Sequence, residues 1–168
     1  MRQMILAANW KMNMTLAEGA SFLNDFKALL KENAKENKTI VLFPPFILLD
    51  QLIKDAEDSP IKIGGQNCHH ELNGAYTGEV SAPMIRSTGS EYVIIGHSER
   101  RHYFDEQEDV LSKKVGMALH YGLTPIYCCG ETLDQRNQHQ QEKVVSEQLE
   151  KGLFDLSADE FGKVVIAY

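Results

Sequence analysis

Short apolar runs recur along the whole chain, separated by longer stretches with helical periodicity. Most of the runs are unbroken rather than alternating, which is typical of strands buried on both faces of a parallel sheet. Their starts lie roughly 25–40 residues apart, the length of a strand, a helix and the return to the sheet. Six strands are predicted, at Met4–Asn9, Thr39–Phe43, Ile61–Gly64, Tyr92–Ile95, Pro125–Cys128 and Lys163–Ala167.

The stretches between the strands carry the start and stop signals of helices. Thr15 and Glu18 have the spacing of a capping box, and an apolar helical face follows them. Further helices are predicted to begin with Pro45 in a first turn, at Asp105–Glu108, at Thr132–Gln135 and at Ser157–Glu160. The second of these is expected to stop near Gly122, and the third to run to about Gly152.

The alternation of strands and helices predicts a single α/β domain over residues 1–168. An open doubly wound sheet and a β/α barrel both fit this order. A doubly wound nucleotide-binding sheet usually has a glycine-rich turn after its first strand, whereas residues 9–13 contain no glycine. We therefore favour an incomplete (β/α)8 barrel, with six of the eight strands of a full one. Its two sheet edges and part of its interior are expected to face water.

The amino-acid composition limits the classes of partner that this chain is expected to bind. The chain has 168 residues, with 17 Lys and Arg against 24 Asp and Glu, for a net charge of −7. This charge argues against nucleic acid or an anionic membrane as the main partner. No apolar run is long enough to span a bilayer, and no segment has the pattern of a signal peptide. The three cysteines form no disulfide framework or zinc-site spacing, so a reducing cytoplasm is the expected location.

Two strand ends carry candidate chemistry. Asn9, Lys11 and Asn13 follow the first strand, and in an extended segment Asn9 and Lys11 point the same way. His97 follows the fourth strand and opens a helical turn, whose exposed N–H groups favour a neutral imidazole. Because barrel chemistry lies at the carboxyl ends of the strands, we expect a cation and an electrophile at one site. A solvated loop lysine and a structural histidine are the alternatives.

The neighbouring segments help to decide between a functional and a structural interpretation of these residues. The polar run Ser98–Arg101 follows His97 at once, which favours a functional histidine. The polar stretch Gln66–Glu79 is long for a connection, and such loops are usually functional or interfacial. Cys128–Glu131 is interpreted as a tight structural exit from the fifth strand. The other histidines lack the spacing of a metal site.

Four segments together resemble triosephosphate isomerases. They are Asn9–Asn13 (N-W-K-M-N), Gln66–Glu79 with its G-A-Y-T-G-E ending, Gly96–Arg101 (G-H-S-E-R-R) and Cys129–Glu131 (C-G-E). The resemblance covers the whole chain, with the motifs in order and at matching spacing. It implies a TIM barrel that interconverts dihydroxyacetone phosphate and D-glyceraldehyde 3-phosphate through an enediolate, without a metal or organic cofactor.

The resemblance also implies roles for single residues. Lys11 would balance the charge of the triose phosphate substrate and the enediolate, and Asn9 would help to position the substrate. His97 would polarise the carbonyl and move protons between the oxygens. Glu99 would support this group as a carboxylate behind it, with Ser98 beside it.

A homodimer is implied as well, formed through the Gln66–Glu79 loop. Thr77 would reach across a two-fold interface towards the region of Asn13 and His97 in the neighbouring copy. Glu79 and Arg100 would pair across the same interface.

The chain departs from the family pattern after Ala167-Tyr168. In the family this pair precedes the glutamate that removes the α-proton, followed by a lid and the last phosphate-binding strands. We therefore expect residues 1–168 alone to be inactive. Two alternatives stay open: a non-catalytic fragment that acts as an assembly or interaction module, and a different sugar-phosphate barrel enzyme with its own base.

Overall fold

The strands form one parallel sheet. The computed structural model describes residues 4–33 and 38–168. Within these residues the strands follow the order β1-β2-β3-β4-β5-β6, each paired in parallel with the one before it. Their bounds are β1 Met4–Asn9, β2 Lys38–Phe43, β3 Ile61–Gly65, β4 Tyr92–Ile95, β5 Thr124–Cys128 and β6 Val165–Ala167. All six predicted strands are confirmed, with bounds that differ by two residues or fewer.

Helices flank this sheet. They are α1 Leu16–Asn33, α2 Leu49–Asp55, α3 Ala82–Ser87, α4 Ser98–Tyr103, α5 Glu108–His120, α6 Leu133–Asn137, α7 Gln141–Leu153 and α8 Ala158–Phe161, with a 3-10 turn at Phe46–Leu48 before α2. The fold is thus the predicted incomplete barrel, a curled sheet of six parallel strands with helices around it.

Two hydrophobic layers hold the sheet in its curled form. The larger layer lies between sheet and helices and includes Leu23, Leu52 and Val115. The smaller layer lies on the inner face, where Val41, Phe43, Ile94 and Ile126 from β2, β4 and β5 pack together. Gly64 in β3 leaves room for this layer, because a Cβ there would come within 2.3 Å of the Phe43 ring.

Local start signals fix several helices as predicted. Both hydrogen bonds of a capping box are present between Thr132 and Gln135, and again between Ser157 and Glu160. At Thr15, the backbone N–H and hydroxyl donate to Glu18 Oε2 over 2.8 Å. Each box pairs side chains with N–H groups that the first turn of a helix leaves free.

Three sequence predictions about helices are wrong. The helix predicted at Asp105 begins instead at Glu108, because Asp105 has a left-handed backbone (φ 51°). The helix predicted from Thr132 to about Gly152 is interrupted between α6 and α7, where His139 is left-handed (φ 56°). Pro45 lies before the 3-10 turn rather than in a first helical turn. The short helix α3 was not predicted.

The two outer strands of the described sheet are poorly covered. Met4 and Leu6 of β1 are 59% and 57% exposed, and Ile166 of β6 is 43% exposed. Each of these strands pairs on one side only. This agrees with the expectation of open edges. Among the described helices, none has the length and apolar character needed to cross a membrane.

Candidate active site

The segment after β1 is held in place by its neighbours. Lys11 has a left-handed backbone (φ 54°), and its N–H donates to the Asn9 side-chain oxygen over 2.9 Å. The Gln66 amide donates to the carbonyls of Lys11 and Phe43, each over 2.8 Å. The backbone that carries Lys11 is therefore tied to the carboxyl ends of β1, β2 and β3.

Lys11 and His97 meet through Glu99. Lys11 Nζ lies 2.8 Å from Glu99 Oε1, and the other oxygen of Glu99 lies 3.5 Å from His97 Nδ1. Neighbouring strands are about 4.8 Å apart, so three strand spacings would separate β1 from β4 in a flat sheet. The curl of the sheet brings the two strand ends within reach of one carboxylate. The hydrogen bond from Lys11 lowers the pKa of Glu99, which keeps it ionised.

His97 is the N-cap of α4, and its ring is held by that helix. Nδ1 of the imidazole accepts a hydrogen bond of 3.3 Å from the backbone N–H of Glu99. A nitrogen that accepts a hydrogen bond carries no proton, so the tautomer that fits this contact has its ring hydrogen on Nε2. A neutral imidazole with a free Nε2–H can donate to a substrate oxygen.

The predicted residues divide between two clefts. The first, of about 530 Å³, is lined by Asn9, Lys11, Asn13, His97, Glu99 and Arg100, together with aromatic side chains. Ser98 lines the second, of about 300 Å³, with Glu131 and Tyr168, and His97 lines both. Thr77 and Glu79 lie outside both clefts, on the exposed loop between β3 and α3.

A buried polar network beneath the first cleft was not predicted. Lys114 Nζ lies 2.9 Å from Asn67 Oδ1 and 2.6 Å from Glu106 Oε1, and Arg100 Nε lies 2.7 Å from the same Glu106 oxygen. Asn67 and Lys114 are 47 positions apart, and no local motif links them. This contact could not be predicted from the residue types alone.

The loop between β3 and α3 contains an aromatic stack. The His69 ring lies 4.3 Å from the rings of both His70 and Tyr76. His69 Nδ1 also accepts from the Glu71 N–H over 3.1 Å. These contacts give the protruding segment an internal order.

The cysteines have the structural character expected for Cys128–Glu131. Cys68 and Cys129 are buried, and burial raises the pKa of Cys68 to about 12 and that of Cys128 to about 11. Thiols held in this form are poor nucleophiles. Within residues 4–33 and 38–168, no three or more His, Cys, Asp or Glu side chains are grouped to hold a metal ion.

Comparison with known proteins assigns this chain to a family. A sequence model of the triosephosphate isomerase family matches residues 4–168. Triosephosphate isomerases from Dictyoglomus turgidum and Bacteroides fragilis are 49% and 47% identical over all 168 residues, which span 67% and 66% of their lengths. The crystal structure of triosephosphate isomerase from Bartonella henselae superposes with a TM-score of 0.88 at 35% identity, over 99% of this chain and 68% of that one. The chain thus spans about two thirds of the length of its relatives, and it belongs to the triosephosphate isomerase family.

Proposed function

We propose that these residues supply the electrophilic half of an isomerase site that interconverts dihydroxyacetone phosphate and D-glyceraldehyde 3-phosphate. One observation carries the proposal: Lys11 pairs with the Glu99 carboxylate, and the backbone N–H of Glu99 donates to Nδ1 of His97, at the edge of the 530 Å³ cleft. A cation and a neutral imidazole beside one cleft suit a reaction in which a carbonyl oxygen gains negative charge.

The reaction begins when a base removes the proton on the carbon next to the carbonyl. The electrons of that C–H bond form a carbon–carbon double bond, and the carbonyl oxygen becomes negative. His97 donates its Nε2–H to this oxygen, while the Lys11 ammonium stabilises the enediolate and the substrate phosphate. His97 then takes back the proton of the hydroxyl on the neighbouring carbon, and the electrons of that O–H bond form the new carbonyl. The base returns its proton to the former carbonyl carbon, which completes the isomerisation and restores both groups.

The base is expected outside the residues described. Glu99 and Glu131 are the carboxylates that line the two clefts. The Lys11 hydrogen bond lowers the pKa of Glu99, and a backbone N–H together with Arg136 lowers that of Glu131, so both are weak bases. In the family the base follows the Ala-Tyr pair that corresponds to Ala167-Tyr168. Tyr168 lines the same cleft as His97, so a base supplied by the segment that follows it would start from the edge of this cleft.

The test joins residues 1–168 to the part of the Dictyoglomus turgidum relative that follows the aligned segment. We expect this chimera to interconvert the two triose phosphates. Replacement of Lys11 by Met or of His97 by Gln should lower kcat/KM by at least about 100-fold, because each removes a group that stabilises the transition state. Residues 1–168 alone should show no turnover above background.

The activities of the chimera and its variants distinguish an isomerase site from the alternatives. A folded chimera without isomerase activity would refute the proposal, and so would full activity of the Lys11→Met variant. Lys54→Met is the matched control, since Lys54 is exposed and pairs with Asp50 on α2, away from both clefts. Turnover by residues 1–168 alone would require a base within them.

We further propose that a second copy of the chain covers the first cleft. Met12, Tyr103 and Phe104 line it and are 95%, 73% and 63% exposed, and side chains of this kind are usually covered in a stable protein. The Thr77 loop is polar and exposed, and we expect it to enter beside Asn13 of a second copy. Pairing of Glu79 with Arg100 across the interface is part of the same proposal. A non-catalytic assembly module would use the same surface, but would not gain activity in the chimera.

A further inference from the structure

The side chain of Arg101 joins the ends of β4 and β5. Its Nε donates to the Gly96 carbonyl over 2.8 Å, and its Nη2 donates to the Cys128 carbonyl over 2.9 Å. Gly96 follows Ile95, which pairs in register with Tyr127. The guanidinium therefore bridges the two strands just beyond the last residues of β4, at the edge of the sheet that carries the proposed site.

The guanidinium is itself held on its other side. It forms an ion pair with Glu108, and its Nη2 lies 3.4 Å from the Tyr127 hydroxyl. That hydroxyl lies 2.6 Å from Glu108 Oε2, so arginine, glutamate and tyrosine contact one another. Arg101 and Glu108 have only 16% and 18% of their side-chain surface exposed. A planar group with five N–H donors is needed to meet all these partners at once.

Arg101 contacts the backbone on both sides of His97, through its guanidinium before the histidine and through its backbone N–H after it. The Gly96 carbonyl, which accepts from the guanidinium, belongs to the peptide group that leads into His97. The carbonyl of His97, in the peptide group that follows, accepts from the backbone N–H of Arg101 over 3.1 Å. Because a peptide group is planar, a hydrogen bond to its oxygen fixes the orientation of the whole unit.

The turn at Gly96 lies directly against the same guanidinium. Gly96 has a φ of +74°, which favours glycine, and a Cβ there would lie 3.0 Å from Arg101 Nη2. Backbone and side chain thus occupy adjoining space without a gap. Movement of the guanidinium would release the Gly96 carbonyl, while the backbone hydrogen bonds to the His97 carbonyl would remain.

We infer that Arg101 is a positioning residue for His97: its guanidinium fixes the peptide group that leads into the histidine and ties it to the end of β5, and so orients the imidazole in the cleft. This inference rests on the proposed function only for its kinetic consequence. The geometry of the imidazole itself is measurable without catalysis. Lysine at this position would keep a positive charge near Glu108 but could not donate in one plane to both carbonyls.

The experiment compares Arg101→Lys with Arg86→Lys in the chimera. Arg86 is a matched control because its Nη1 donates to the Ser90 carbonyl over 3.0 Å, before the opposite end of β4. We expect Arg101→Lys to lower kcat by about 10- to 100-fold with a change in KM below about 3-fold, as for a misplaced reacting group. Nitrogen-15 spectra of the His97 ring should change from a single tautomer to averaged signals. Arg86→Lys should change neither quantity.

Each result of this comparison either supports or overturns the positioning role of Arg101. Unchanged kcat and unchanged His97 signals in Arg101→Lys would overturn it, as would an equal loss of kcat in Arg86→Lys. If Arg101→Lys does not fold, Glu108→Gln gives the same readouts, since it removes the ion-pair partner while the arginine remains. An inactive parent chimera would refute the proposed function, and the nitrogen-15 spectra would still decide whether Arg101 orients the imidazole.

Discussion

The carboxylate of Glu106 lies between two cations in a part of the molecule that water hardly reaches. Glu106 and Lys114 have only 7% and 3% of their side-chain surface exposed. Burial raises the pKa of Glu106, but Lys114 and Arg100 more than offset this, so that its pKa lies below its ordinary value. The carboxylate is therefore charged at neutral pH and compensates the buried ammonium.

Replacement of Glu106 by Gln should lower the free energy of unfolding by about 3–5 kcal/mol at pH 7, because it leaves the charge of Lys114 buried without a counterion. Urea titration followed by circular dichroism measures this change. Glu91→Gln is the control. Glu91 pairs with Lys62 at the surface, where each side chain is nearly half exposed, and its loss should change stability by less than about 1 kcal/mol.

The effect of Glu106 depends on pH in a definite direction. Its pKa is lowered in the folded state, so its contribution is complete above the unfolded value of about 4.3 and is lost as the pH falls through the folded value. The stability difference between the parent and Glu106→Gln should therefore narrow below about pH 4. A difference that stayed constant down to pH 3 would contradict this account.

At the scale of single residues, chain order predicts that Lys11 and His97 lie at the same edge of the sheet, but it does not predict the network around Glu106. The first two directly follow strands, so their place at the carboxyl edge of the sheet follows from chain order alone. The contact of Asn67 with Lys114 depends on how α5 packs against the loop after β3. Packing of that kind has no periodic signature in the chain.

At the scale of helices, two glycines in similar elements differ in what surrounds them. Gly152, near the end of α7, would bring a Cβ within 2.1 Å of the Tyr127 hydroxyl oxygen. That ring cannot move away, because it is buried and its hydroxyl contacts Glu108 and the Gln148 carbonyl. Gly116, within α5, has nothing within 4 Å of the corresponding position.

Alanine should therefore have opposite effects at the two positions. We expect Gly152→Ala to lower the free energy of unfolding by about 1–3 kcal/mol through overpacking. Gly116→Ala should raise it by about 0.5–1 kcal/mol, since alanine favours a helix interior. Urea midpoints of the two variants and the parent give the comparison. Equal shifts would mean that helix propensity alone acts at both glycines.

The start of a helix was predictable where its signal is local. The pairs Thr132–Gln135 and Ser157–Glu160 each satisfy their own free N–H groups within four residues. Asp105 has the same spacing to Glu108 but does not start a helix, because its backbone is left-handed and Glu108 contacts Arg101 and Tyr127 from other elements instead. A tertiary contact thus overrides a local signal that is otherwise equivalent.

At the scale of the whole molecule, the barrel class was predictable from unbroken apolar strands, whereas its assembly was not. The alternation of strands and helices along the chain and the lack of a glycine-rich first turn were sufficient to favour the barrel. Whether two copies meet at the Thr77 loop depends on shape, and the alternation of apolar and polar residues does not encode shape. The dimer therefore stays a prediction.

Size-exclusion chromatography coupled to light scattering measures the oligomeric state and so tests the predicted dimer. The chimera should elute as a dimer, and Thr77→Arg should shift it towards the monomer, because a long charged side chain would not fit beside Asn13 in the partner copy. Gln138→Arg adds the same charge at an exposed position outside both clefts and should leave the dimer intact. A monomeric chimera, or a dimer unaffected by Thr77→Arg, would contradict an interface at this loop.

The sequential strand order has a consequence for how the chain emerges from the ribosome. Each strand from β2 to β6 pairs with the strand synthesised immediately before it, so a template is already present when a new strand appears. The sheet can therefore grow by addition at one side while translation continues, and no strand must wait for a distant partner. During this growth the unpaired strand edges are confined to the first strand and to the most recent one, which limits the unpaired backbone that a nascent chain offers to its neighbours.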